Sequence, residues 1–130
     1  MIEVGLSRIV IDEKKKEQVI VLKEKEGARV LPIVIGINEA SAIKMKLSGF
    51  IPPRPLTHDL IFSIINGLGV KLEKVVIDKL IEGTFHAKLH FQNKRKVSKI
   101  VDARPSDSVA LAIRTVSPIF VEEQVLNKIA

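Results

Sequence analysis

Two arginine–proline pairs stand directly before segments that read as helix starts: Arg54-Pro55 in "PPRPLTHDL" (Pro52–Leu60) and Arg104-Pro105 in "DARPSDSVALAIR" (Asp102–Arg114). A helix N-terminus already carries partial positive charge, so an arginine there calls for an anion nearby. Proline holds the residue before it extended, which stops helix from spreading backwards and fixes where the guanidinium points. Acids follow within one turn, Asp59 after the first pair and Asp107 after the second, and His58 sits beside Asp59. Arginine, histidine and carboxylate converging on one cleft would suit phosphate chemistry, the acids holding a divalent cation and the arginines the substrate phosphate. The same residues would also serve as a structural ion network, with Arg54 and Arg104 paired to Asp59, Asp107 or Asp102 across the two helices. Residue chemistry alone leaves both readings open.

The elements that must position these groups come from hydrophobic periodicity. Glu3–Ile11, Gln18–Leu22 and Arg29–Ile35 alternate with a period of two and read as strands, with the charged runs Asp12–Glu17 and Lys23–Gly27 as turns of an antiparallel meander. At Asn38 the period changes to helical: Asn38 reads as a cap, Glu39 as a first-turn acid, Ala42, Ile43 and Leu47 as an apolar stripe and Gly49 as the stop. Thr57 reads as the cap of a second, well-buried helix with an apolar face of Leu60, Ile61, Ile64, Ile65 and Leu68. Strands are expected around Lys71–Ile77, Thr84–Phe91 and Lys96–Val101. A helix follows from Ser106 to about Val116, then a short strand after Pro118 and a closing helix over Glu122–Ile129. In the Ser106 helix, Val109, Ala112, Ile113 and Val116 form the expected core stripe. Asp107 and Arg114 lie two turns apart on another face, with Ala110 and Leu111 between them, suited to a site or a subunit interface.

The pattern occurs twice. "SRIVID" (Ser7–Asp12) matches "EKVVID" (Glu73–Asp78), and "NEASAIKMK" (Asn38–Lys46) lies over "SDSVALAIR" (Ser106–Arg114). The expected architecture is α+β: a duplicated strand-strand-strand-helix unit, copies about 3–49 and 70–117, with a mainly antiparallel sheet and an inserted central helix. Each copy is too small to hold a core alone, so one domain over residues 1–130 is expected.

Composition limits the chemistry. Absence of cysteine removes disulfides, thiolate catalysis and zinc–thiolate sites. The longest apolar runs, such as Val30–Ile37, are too short to span a bilayer, and the N-terminus lacks the basic start and apolar block of a signal peptide, so a cytoplasmic protein without membrane contact is expected. The formal charge of +6 permits attraction to nucleic acid. Lys14–Lys16 and Lys94–Lys96 fall at expected hairpin tips, where lysine also keeps sheet edges unpaired, and no Trp or Tyr supplies a base-stacking platform. In "HAKLH" (His86–His90) the alternation of Phe85, Ala87, Leu89 and Phe91 makes a strand. Its two imidazoles then stand roughly 13 Å apart, too far to share an ion.

Taken together, "IGINEASAI", "PPRPLTHDL", "DARPSDSVALAIR" and "PIFVEEQVL" resemble the bifunctional nuclease domain family over nearly the whole chain. The resemblance implies an α+β domain and, by the family's name, cleavage of both DNA and RNA. By position it marks Glu39, Arg54, His58, Asp59, Asp102, Arg104, Asp107 and Arg114, without assigning their roles. One departure is His86, where members often carry tyrosine. The resulting expectation is a metal-assisted phosphodiesterase using Mg or Mn. Asp59, Asp107, Glu39 and Asp102 would be the metal ligands, His58 with Asp59 and Asp107 the catalytic set, and Arg54, Arg104 and Arg114 the phosphate contacts. The alternative is a non-catalytic oligomeric module using the same cluster as an ion network or anion site. Unpaired sheet edges and the Asp107–Arg114 face also suggest a homodimer.

Overall fold

Alternating polarity does build the first strands. In the computed structural model, which describes residues 1–129, β1 (Ile2–Asp12), β2 (Glu17–Glu24) and β3 (Val30–Ile35) form an antiparallel meander. Ile20, Leu22, Leu31 and Ile33 are buried in the core, whereas Val30 and Val34 point out. Asp12 shapes the first turn by accepting hydrogen bonds from the backbone N–H groups of Lys14 (3.1 Å) and Lys15 (3.3 Å). A second meander follows the same order: β4 (Val70–Ile81), β5 (Thr84–Asn93) and β6 (Ser98–Ala103). Each meander runs into a helix, α1 (Ile37–Ser48) after the first and α3 (Pro105–Thr115) after the second. Helix α2 (Thr57–Gly67) lies between the two meanders in the chain. A short β7 (Ile119–Val121) and α4 (Glu123–Ile129) complete the described residues.

The short β7 joins the halves. The sheet order is β3-β2-β1-β7-β4-β5-β6, with β7 antiparallel to β1 and parallel to β4. Ile119 lies opposite Val4 on one side and Val75 on the other, and all three are buried. Seven mostly antiparallel strands and four helices, counted among the described residues, make an α+β fold. No described helix is long and apolar enough to cross a membrane.

Helix α3 occupies the centre. It packs on β4 and β5, and both α1 and α2 pack against it. This position explains two differences from the sequence pattern. The expected core stripe of α3 is too narrow, because Ala110 and Leu111 are buried as well as Val109 and Ala112. A helix enclosed by a sheet and two helices has no solvent face to spare. At its end the stripe fails the other way: Ile113 is half-buried, and Val116 is 90% exposed at the C-cap with φ of 54°, a conformation β-branched residues seldom adopt.

The second difference concerns α2. Expected to be well buried, it turns His58, Asp59, Ile61 and Ile65 towards the rest of the fold and leaves Leu60, Ile64 and Leu68 exposed. Its apolar stripe is wider than the surface left beside the central helix. The expected caps shift as well. Gly36 and Leu56, in place of Asn38 and Thr57, precede α1 and α2, and neither helix has a side-chain bond from the cap residue itself. Gly49 ends α1 with φ of 78° as anticipated, its N–H donating to Lys46 O at 3.3 Å.

A candidate active site where three helices begin

The first turns of α1, α2 and α3 each carry one acid, Glu39, Asp59 and Asp107. Each stands at the third helical position after its cap, where a carboxylate gains about 0.3–1 kcal/mol from the macrodipole. The three acids then take different partners, which separates their roles.

Asp59 is fully engaged by its own fold. One oxygen, Oδ2, accepts the backbone N–H of Leu56 at 3.0 Å, closing the helix start, and Oδ1 accepts Arg114 Nε–H at 2.7 Å. Burial raises the carboxyl pKa, but these two hydrogen bonds and the charges of Arg114 and Lys46 outweigh it, holding Asp59 below the ordinary carboxylate value. Arg114 also donates to Ala110 O (3.2 Å) and Ala42 O (3.3 Å), so one buried guanidinium ties α1, α2 and α3 together. On this side of α3, Arg114, Ala110 and Leu111 are thereby buried within the helices.

Asp107 and Glu39 instead face a cleft. Arg104, the residue that caps α3, places Nη2 2.7 Å from Glu39 Oε1 and 2.9 Å from Asp107 Oδ2, and its Nε–H donates to the same Oδ2 at 2.9 Å. Hydrogen bonding to Asp107, then that carboxylate's charge and the bond to Glu39, raise the arginine pKa further. His58 lies 2.9 Å by Nε2 from Asp107 Oδ1 and is almost wholly buried. Because a carboxylate only accepts, this pairing puts the proton on Nε2 and leaves Nδ1 as the basic nitrogen. Glu39, Ser41, Met45, His58, Arg104 and Asp107 line a cavity of about 460 Å³. A larger groove of about 550 Å³ between the end of α2 and the start of β4 contains Lys71, Glu73 and Lys94 but no histidine or arginine.

The remaining marked residues stand elsewhere. Asp102 lies on β6 opposite Lys88, whose Nζ donates to it at 2.9 Å and is 3.5 Å from Asp78. Lys88 alternates with the buried Ala87 and Leu89, so this pair occupies the sheet face away from α3. Arg54 is exposed in the loop entering α2 and pairs with none of the acids of the cleft. His86 and His90 both lie on β5 as expected, and burial followed by the charge of Lys74 holds the His90 imidazole below its ordinary value. The structure thus groups Glu39, His58, Arg104 and Asp107 and places Asp59 with Arg114 behind them.

A divalent cation would meet two carboxylates in the cleft, Glu39 and Asp107, since Asp59 is turned back to Leu56 and Arg114 and Asp102 is on the other face. Both Asp107 oxygens are already bonded, to His58 and Arg104, whereas Glu39 is held by Oε1 alone. No three acids or histidines form a metal-binding group among the described residues. Glu39, with Asp107 Oδ2 once released from Arg104, would fit Mg²⁺ or Mn²⁺, which commonly keep water and substrate phosphate as their other ligands. Two acids sharing one guanidinium also leave the cluster one charge negative, which a cation would offset.

The sequence gives no obvious sign of one further residue, Gly36. Its φ of −73° is open to any residue, but a Cβ there would collide with the Glu39 carboxylate. The carboxylate is the free end of a flexible chain, so it moves and the backbone stays. Gly36→Ala is therefore expected to keep the melting temperature within a few degrees while swinging Glu39 off Arg104. A crystal structure of the variant, read alongside the melt, would show Glu39 away from Arg104.

Residues 20–130 match the sequence profile described as the bifunctional nuclease domain, the greater part of the chain. Two proteins of Mycobacterium tuberculosis, Uncharacterized protein Rv1829 of strain H37Rv and Uncharacterized protein MT1877 of strain CDC 1551, are each 50% identical over 124 residues. That alignment covers 95% of this chain and 73% of each relative. The matched span holds every residue of the cleft, and the chain belongs to the bifunctional nuclease domain family, whose description connects it to nuclease-like, nucleic-acid-related function.

Proposed function

We propose that the protein hydrolyses phosphodiester bonds of DNA and RNA in the cleft between the three helix starts, acting in the cytoplasm. The observation that carries this is the His58–Asp107 pair at 2.9 Å beside Arg104 in an open cleft. Nδ1 of His58 takes the proton from the attacking water, and Asp107 holds the ring in place and stabilises the imidazolium that results. The proton then passes to the departing oxygen as the bond to phosphorus breaks. Arg104 binds the phosphate as charge builds on its oxygens, helped by the partial positive ends of the helices around it. Arg54, exposed on the loop that enters α2, attracts the next phosphate along the strand. A Mg²⁺ or Mn²⁺ ion held by Glu39, and by Asp107 Oδ2 once Arg104 has turned to the phosphate, would supply Lewis-acid polarisation of the phosphate.

One observation favours the other reading, a non-catalytic ion network: Glu39, Asp59, Asp102 and Asp107 all have a cationic partner. Incubation with single-stranded DNA and RNA in Mg²⁺ or Mn²⁺, with EDTA as control, decides between them. Cleavage of both substrates that EDTA stops is the expected result, with Arg54→Ala weakening binding a few-fold and lowering its salt dependence. Intact substrates under every divalent ion would overturn the nuclease reading.

A further inference from the structure

Helix α2 presents to solvent a face that a +6 protein with 28% charged residues has kept free of charge. Between Thr57 and Leu68 the ionisable residues are His58 and Asp59, and both turn inward to α3. Outward stand Leu60 (53% exposed), Ile64 (51%) and Leu68 (73%), spaced one helical turn apart, with Ser63 and Gly67 between them. The loop entering the helix adds Phe50 and Ile51, the latter 87% exposed.

We propose that this face is covered by a second copy of the chain, α2 packing antiparallel on α2 about a two-fold axis near Ile64. Leu60, Ile64 and Leu68, each more than half exposed, supply the apolar centre that a stable interface needs. Nucleic acid would need basic groups, and the outer face of α2 from Leu60 to Leu68 has none. Two copies that repel through their net charge meet most easily across an uncharged face. The two-fold arrangement is self-complementary: Ile64 meets Ile64, and Leu60 of each copy meets Leu68 of the other. The small Ser63 and Gly67 let the helix axes come close. Because α2 also carries His58, the second copy clamps the helix that presents the catalytic imidazole.

Light scattering at micromolar concentration is expected to give twice the chain mass of 14.4 kDa, and Ile64→Lys to return it to 14.4 kDa with an unchanged circular dichroism spectrum. The chain has no cysteine, so Ile64→Cys introduces a single thiol. Mild oxidation should then link two copies covalently, whereas Val30→Cys, exposed on the edge strand β3, should not link them efficiently. A wild-type monomer would overturn the proposal, as would a dimer that survives Ile64→Lys. Flotation of the wild type with phosphatidylglycerol vesicles, abolished by Ile64→Lys in a protein monomeric in solution, would assign the face to lipid instead.

Discussion

Asp59→Asn is expected to cost the fold about 3–5 kcal/mol, because it leaves the Arg114 guanidinium charged, buried and without its counter-ion. The converse change should cost less. Asp59 is about one third exposed while Arg114 is 3% exposed by side chain, so a carboxylate stripped of its arginine rehydrates whereas the arginine cannot. Arg114→Met fills most of the same space and leaves Asp59 and the carbonyls of Ala42 and Ala110 short of donors, a loss of roughly 1–3 kcal/mol. The double variant should lose less than the sum, since neither charge is then stranded. Urea denaturation measures all three. Equal, near-zero losses would mean that the pair does not hold α2 on the bundle.

The same pair sets an acid limit to stability. The folded-state pKa of Asp59 lies below its ordinary value of 3.8, so between those two values the unfolded chain binds the extra proton. The contribution is therefore complete above the ordinary value and is lost as pH falls through the lower, folded one. In Asp59→Asn this part of the acid limb should be missing, and stability should fall less steeply below about pH 4.

How far the residues themselves announced this arrangement differs between elements. The period-two alternation from Glu3 to Ile35 and again from Lys71 to Val101 records which side chains meet the core, a property of each strand by itself, so both meanders were legible. Pro105 likewise marks a helix start locally, and the structure puts it at the first position of α3 with Arg104 as cap. The place of β7 was not legible, since three residues gain a strand's role only by meeting Val4 and Val75 from distant parts of the chain. Helix α2 shows the same limit from the other side: its stripe of leucine and isoleucine reports apolarity, while burial depends on α3 already filling the centre.

Within the site, the types of residue were legible but the pairings were not. Arg54 and Arg104 look alike in sequence, each before a proline and a first-turn acid. Yet Arg104 bridges two helices, while Arg54 stands exposed on the loop that enters α2. Asp59 and Asp107 occupy equivalent turns, and their difference comes from Arg114, 55 residues from Asp59 in the chain. Asp102 precedes the arginine–proline pair by two residues, but it still belongs to β6, and strand alternation sends it to Lys88 on the opposite face.

These pairings make His58 and Asp107 the place where activity and stability should part. His58→Gln removes the group we propose to move the proton, and a loss of about 10²–10⁴-fold in cleavage rate is expected at unchanged substrate affinity. Asp107→Asn keeps the shape of the side chain but replaces the carboxylate that orients the ring and offsets its positive charge, so a loss of similar size follows. Since both changes disable one unit, the double variant should be little slower than either single one. Stability should fall much less than in Asp59→Asn, because Arg104, the cation released by Asp107→Asn, is 68% exposed by side chain and retains Glu39. Its guanidinium rehydrates where that of Arg114 cannot. Single-turnover cleavage and urea denaturation on the same preparations test the division. Variants of His58 and Asp107 that unfold as readily as Asp59→Asn but cleave at the wild-type rate per folded molecule would move both residues from the reaction to the scaffold.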